Sequence, residues 1–139
     1  MLVKEVMTKK LIKIDHDASV FDACMIYEKY KIGSLLVTKN DKFVGILTER
    51  NIIERTICDK KNPEDVTVED VMSSGLITIH ALEKLETAID VMIKHNIKKL
   101  PVMLDDKVVG IITVTDISRA RPDLSKRFMD SWVKTRWMD

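Results

Sequence analysis

The sequence predicts a mixed α/β protein of the α+β type: two β-α-β-β-α repeats packed with pseudo-twofold symmetry. Three observations carry this. The chain has 139 residues, 45% apolar and 32% charged, which fits one compact domain or two small halves sharing a core and is too apolar for disorder. An offset of 65 residues carries Gly45 onto Gly110, and with no gap it makes 18 of the 51 positions from 3 to 53 identical to their partners. Ordinary composition gives about three or four by chance. Finally, the two copies show the same order of strand and helix patterns.

Each copy opens on a short β-rich run, Leu11-Ile12-Lys13-Ile14 and Leu76-Ile77-Thr78-Ile79. A helical stripe follows. Val20, Ala23, Cys24 and Tyr27 share one face, as do Leu85, Ala88, Ile89 and Met92 at i, i+3, i+4, i+7 spacing. Two strand runs come next, Leu35–Thr38 with Phe43–Leu47, and Leu100–Met103 with Val108–Ile112. Polar turns at Lys39-Asn40-Asp41-Lys42 and Asp105-Asp106-Lys107 join them as hairpins. A second helix begins at Thr48 and at Thr113.

These patterns divide the chain into copy one (1–58), a polar Pro-broken linker (59–66), copy two (67–121) and a tail (122–139). Each copy has a sheet with helices on one side, so its other apolar surface calls for the second copy, with a cleft between related parts. Thr67 is placed to N-cap a short helix carrying Val68, Val71 and Met72. In the tail, Leu124, Phe128, Met129, Trp132, Val133 and Trp137 form a helical stripe, with Lys126, Arg127, Lys134 and Arg136 on other faces. Packing on its own domain and a subunit interface both fit this stripe. Membrane-surface binding fits less well, because Asp123, Asp130 and Asp139 interrupt the basic face.

Charge balance disfavours a dedicated nucleic-acid binder: 23 Lys+Arg stand against 22 Asp+Glu. No apolar run approaches the roughly 20 residues that cross a bilayer. The N-terminus lacks a signal-peptide core, so a cytoplasmic location is expected. Cys24 and Cys58 have no metal-type spacing and read as buried thiols. Nor do His16, His80 and His95 form ligand spacing with them. Asp15-His16-Asp17 could hold a metal weakly, but a turn before a helix explains it better. His80 is expected just after a strand. Met7, Met25, Met72 and Met92 read as core fillers. No metal site, catalytic residue or nucleophile–base set is expected, and no cofactor is required.

The segment that could carry chemistry is Gly110-Ile111-Ile112-Thr113-Val114-Thr115-Asp116, where a strand ends and a helix begins. Gly110 lets another backbone or a ligand come close. Thr113 at the N-cap with Asp116 three residues on is a variant capping box, sufficient to start the helix without any ligand. The same geometry suits a nucleotide: amides at a helix start favour phosphate, and a carboxylate accepts hydrogen bonds from a ribose diol. Lys98 and Lys99 could contact phosphate or simply be solvated. Pro101 removes a ladder donor, pointing to an edge strand or a locally opened sheet where a base could lie.

Val71-Met72, Lys98-Lys99-Leu100-Pro101-Val102 and the Gly110–Asp116 segment resemble a CBS motif, named for cystathionine β-synthase. Val6-Met7, Ile32–Val37 and Gly45–Asn51 resemble it in copy one. The likeness covers about residues 1–120, and the chain is similar to a stand-alone CBS pair, or Bateman module. That resemblance implies an adenosine-containing regulatory ligand (AMP, ADP, ATP or S-adenosylmethionine) bound in the clefts between copies. It assigns Thr113 and Asp116 to phosphate and ribose, Lys98 and Lys99 to phosphate, and Pro101 to the base. Ile77, Thr78 and Ile79 would line the site. A weaker second site would use Thr48, Arg50, Asn51 and Ser34, because Asn51 replaces the aspartate, Gly33-Ser34 the basic pair and Leu36 the proline. The resemblance further implies a homodimer signalling to an unknown regulated protein. The alternative is a nucleic-acid-binding or protein-interaction scaffold with vestigial clefts, for which the basic tail and the lysine pair speak.

Overall fold

The computed structural model describes residues 1–137, with side chains as far as Trp132. Along the chain it forms α1 (Val3–Val6), β1 (Lys13–Asp15), α2 (Val20–Tyr30), β2 (Ser34–Lys39), β3 (Lys42–Thr48) and α3 (Glu49–Ile52), which widens into a π-turn over Ile53–Ile57. A 3-10 turn at Pro63–Asp65 in the linker precedes α4 (Val68–Val71), β4 (Ile79–His80), α5 (Leu85–His95), β5 (Lys99–Leu104), β6 (Lys107–Thr113), α6 (Val114–Ala120) and α7 (Pro122–Trp137). The two β-α-β-β-α repeats are thus present. The first strand of each starts two or three residues later than the apolar run suggested.

Each repeat forms a three-stranded sheet, in the orders β1-β2-β3 and β4-β5-β6. The first pairing is parallel and the second antiparallel. Asn40-Asp41 and Asp105-Asp106 make the two hairpin turns, all four with φ between 51° and 62°. Positive φ at both central residues is the type I′ pattern, and Asn and Asp tolerate it better than other residues with a Cβ.

The compact units divide the chain differently from the repeat. One is Leu11–Leu76; the other joins Met1–Lys10 to residues from Ile77 onward. The segment heading each copy packs in the other unit. Val3 is fully buried in the core cluster of Leu85, Ala88, Ile89, Met92, Leu100, Val102 and Ile112. Val68 and Val71 belong to the cluster of Val20, Ala23, Leu35, Val37 and Leu47. Backbone bonds fix both exchanges: the Val3 and Lys4 amides donate to Glu83 and Ala81 carbonyls, as those of Val68 and Glu69 do to Ala18 and His16. Arg55 Nη1 also donates to the Val71 and Met72 carbonyls at the end of α4.

Both repeat glycines follow from this exchange. A Cβ on Gly110 would sit 2.6 Å from Met7 Sδ and 2.9 Å from the Thr8 carbonyl oxygen; on Gly45 it would sit 2.6 Å from Met72 Sδ and 2.7 Å from Ser73 O. The close approach expected at Gly110 is therefore made by the chain's own backbone.

Helix α7 packs against α5 and α6. Phe128 is buried in the core of its unit, flanked by Leu124 and Trp132, and Arg127 bonds Asp90 on α5. Of the two readings of the tail, packing on its own unit is realised by these residues. Met129 is exposed, and the side chains of Val133, Lys134, Arg136 and Trp137, together with Asp139, lie outside the described residues.

Four smaller expectations are corrected. Thr67 stands at the N-cap of α4 without a side-chain capping bond. Cys58 is exposed and Cys24 half-buried, both as free thiols. Met25, placed outward on α2, is 49% exposed and fills no core. His80 belongs to β4 itself, where its Nδ1 accepts the Leu82 amide.

Candidate functional site

Where β6 passes into α6, the capping box is complete. The Asp116 amide donates to Thr113 Oγ1 at 3.1 Å, and the Thr113 amide donates to Asp116 Oδ2 at 3.0 Å. The Val114 amide is held by the Lys98 carbonyl at 3.1 Å. Three of the amides expected to face a phosphate are therefore committed within the fold, which corrects the picture of an open helix start.

What the segment still presents is the Asp116 carboxylate. It is half-buried, and besides its capping bond it accepts from the hydroxyl of exposed Thr8, 3.1 Å from Oδ1 and 3.2 Å from Oδ2. Thr8 is held in place by the bridge to β6: its amide donates to the Ile111 carbonyl at 2.8 Å, and the Ile111 amide donates back at 3.0 Å. The sequence reading stopped at Met7 and missed Thr8. The repeat offset could have found it, because Thr8 falls on Ser73 and each follows a Val-Met pair.

Strand alternation sorts the remaining candidates. Lys99 faces Thr113 and Pro101 faces Ile111 across β5 and β6. Their neighbours Leu100, Val102 and Ile112 are fully buried in the core, and by alternation Lys99, Pro101, Ile111 and Thr113 share the opposite face of the sheet, where Pro101 is also buried and the other three are half-buried. Lys98 does not join them. Its Nζ lies 5.5 Å from the centre of the Trp132 ring on α7, and that ring stacks on Phe128 at 5.1 Å. The lysine pair is therefore split between a face that Thr113 shares and an anchor for the tail.

Pro101 lies in the middle strand, not at an edge, and is buried; the ladder beside it is one pair shorter than in copy one. In copy one the Leu36 amide donates to the Ile12 carbonyl at 3.1 Å, and β1 pairs at Lys13, Ile14 and Asp15. At the equivalent place Pro101 has no N–H to give Ile77, and β4 pairs only at Ile79 and His80. Ile77 is half-buried and Thr78 exposed ahead of the ladder, whereas Ile79 is in the core.

Copy one repeats the cap with different chemistry. The Thr48 amide donates to Asn51 Oδ1 at 3.0 Å, the Asn51 amide to Thr48 Oγ1 at 3.1 Å, and Asn51 Nδ2 to Ser73 Oγ at 3.3 Å. Asn51 is buried. Ser34 pairs with Thr48 across β2 and β3. Arg50 turns instead to Glu54, with Nε to Oε1 at 2.7 Å. That hydrogen bond and the carboxylate charge hold its guanidinium pKa up. On α2, burial and then the charge of Glu49 push the Tyr27 phenol up, and its hydroxyl donates to the Leu47 carbonyl.

Asp15, His16 and Asp17 bring ligand-type atoms within 4.8 Å of one another. Within the fold Asp15 Oδ1 accepts the His16 amide, and His16 Nδ1 lies 3.0 Å from Glu69 Oε2. Among the described residues no helix is long and apolar enough to cross a membrane.

Residues 3–57 and 68–123 each match the family model of the CBS domain. The chain belongs to the CBS-domain family. An uncharacterised protein of Methanocaldococcus jannaschii is 39% identical over 122 residues, covering 88% of this CBS chain and 63% of the relative. L-aspartate semialdehyde sulfurtransferase of the same organism is 36% identical over 120 residues, which is 85% of this chain and 23% of that enzyme. This CBS chain thus spans less than two-thirds of either curated relative. A solved CBS domain protein of unknown function from Thermoplasma acidophilum matches with a TM-score of 0.81 at 27% identity, covering 93% of this chain and 75% of that one.

Proposed function

We propose that this CBS pair is a non-catalytic regulatory module that takes an adenosine-containing ligand at the Asp116 end of copy two. AMP, ADP, ATP and S-adenosylmethionine are the candidates. Asp116 would accept the ribose diol, Thr113 and Lys99 would meet the phosphate or its replacement, and the base would lie along Pro101 toward the Ile77 carbonyl. The observation that carries this reading is the contrast between copies. Copy two keeps a half-buried carboxylate bonded by one exposed hydroxyl, beside a ladder that proline shortens by one pair. Copy one buries a satisfied amide beside a closed ladder.

The row Thr8, Ile111, Pro101 crosses two inter-strand spacings, about 10 Å. That suits a nucleoside laid across the strands. The output is a population shift, which requires the ligand to favour one of two conformations. A partner protein would read it, in the cytoplasm, from a homodimer; light scattering that returned a monomer would remove the last element.

Thermal shift with the four adenosine ligands tests the core of the reading. At 100 times its Kd a ligand stabilises by about 2.7 kcal/mol, and Asp116→Ala is expected to abolish the shift. An undiminished shift in that variant would remove Asp116 from the site. Stabilisation by oligonucleotides alone, lost in salt, would replace the reading with nucleic-acid binding.

A further inference from the structure

Resting on that site, we propose that Thr8 is its affinity-setting gate: its hydroxyl occupies the Asp116 carboxylate in place of a ligand hydroxyl and must swing away for a diol to bind. The bond joins residues 108 positions apart and is made on the exposed side of Asp116. The other fixed donor to the carboxylate, the Thr113 amide, belongs to the cap. A ligand cannot replace that amide without opening α6, whereas it can replace Thr8 by a side-chain rotation.

The backbone of Thr8 need not move. Both of its bonds to Ile111 involve main-chain atoms, so the exchange trades one hydroxyl for another. Copy one shows the alternative. Ser73 meets a neutral amide there, Asn51 is buried, and Asn51 Nδ2 and Oδ1 are both engaged. An amide paired in that way offers a diol no charge and little access. The charged, half-open Asp116 does, and Thr8 sets how much a ligand gains by taking its place.

The test compares AMP with 2′,3′-dideoxy-AMP by isothermal titration on the full chain. Thr8→Val keeps the shape and removes the hydroxyl; Thr8→Ser keeps the hydroxyl. Thr8→Val is expected to tighten AMP about fivefold, the scale of one net hydrogen bond, and to leave the dideoxy analogue unchanged. Thr8→Ser is expected to match the parent. If Thr8→Val leaves AMP affinity unchanged or weakens it while Asp116→Ala still weakens AMP, the gate is refuted and the site stands. If none of AMP, ADP, ATP and S-adenosylmethionine binds the parent, or the one that binds does so equally well to Asp116→Ala, the site is refuted and the gate with it; where another of the four binds in place of AMP, it and its 2′,3′-dideoxy form replace AMP in the comparison. Equal tightening of both ligands in Thr8→Val would trace the effect to general loosening and also refute the gate.

Discussion

Gly110→Ala puts the exchange of N-terminal segments under direct strain. The added methyl would lie 2.6 Å from Met7 Sδ and 2.9 Å from the Thr8 carbonyl oxygen. The thioether can yield, because methionine has several soft rotations. The carbonyl is less free, since Thr8 is clamped to Ile111 by bonds of 2.8 and 3.0 Å. Relieving the overlap needs a retreat of about 0.5 Å, which stretches both bonds past the usual hydrogen-bond range. Losing most of two such bonds at about 1 kcal/mol each, with overpacking besides, gives about 2–3 kcal/mol of destabilisation. Urea unfolding followed by circular dichroism measures it. Met7→Ala in the same chain removes the sulfur contact but not the carbonyl contact, so the double variant should recover only part of the loss. A Gly110→Ala protein within about 0.5 kcal/mol of the parent would show that the segment yields freely, and the account of both glycines would fail.

Two further outcomes follow from packing and charge. Phe128→Ala empties a fully enclosed position under α7 and removes the stack on Trp132; a loss of about 3–5 kcal/mol is expected in the same urea assay, and a loss under about 1 kcal/mol would mean that α7 does not pack as described. The Arg121 guanidinium, bonded to Asp123 through Nε and Nη2, holds that carboxyl below the usual range. A depressed carboxylate contributes stability that is complete above its unfolded pKa, about 4, and is lost as the pH falls through its folded value. Asp123→Asn should therefore lower stability slightly at neutral pH and flatten the acid limb below about pH 4; an unchanged acid limb would count against the pair.

The architecture was legible because duplication repeats its own evidence. Eighteen identities at one offset mark Gly45 and Gly110, both helix stripes and both hairpins, and each copy checks the other. What stayed hidden depends on contacts between distant segments. Nothing local tells Val3–Val6 which sheet it will join, since either sheet offers an apolar helix-facing side. Lys98 and Lys99 read as a pair in sequence, and only strand phase sends one toward Trp132 and the other beside Thr113. Pro101 was readable as a broken ladder, but its middle-strand position was not, because the neighbour it fails to bond is two dozen residues away. The capping box at Thr113 was legible in full. The Thr8 bond was not, since it needs the N-terminal segment already folded against β6.

The residue difference at the two caps and the burial difference around them are one fact. A carboxylate taken out of water without a cation or several donors is costly, whereas an amide with both ends bonded is not. Copy one can close over Asn51 because Thr48 and Ser73 engage its oxygen and nitrogen. An aspartate there would bring charge into a site nine-tenths sealed. Copy two keeps Asp116 and stays half open, with the hydroxyl of Thr8, the repeat equivalent of Ser73, resting on it. Within one unit the same solvent exposure that makes the charge tolerable makes it reachable. The proline that shortens β4 acts in the same direction, leaving the Ile77 carbonyl without its ladder partner. Of the two departures from the copy-one pattern, Asp116 keeps the cap bonds and leaves a charge half exposed, while Pro101 removes one ladder bond.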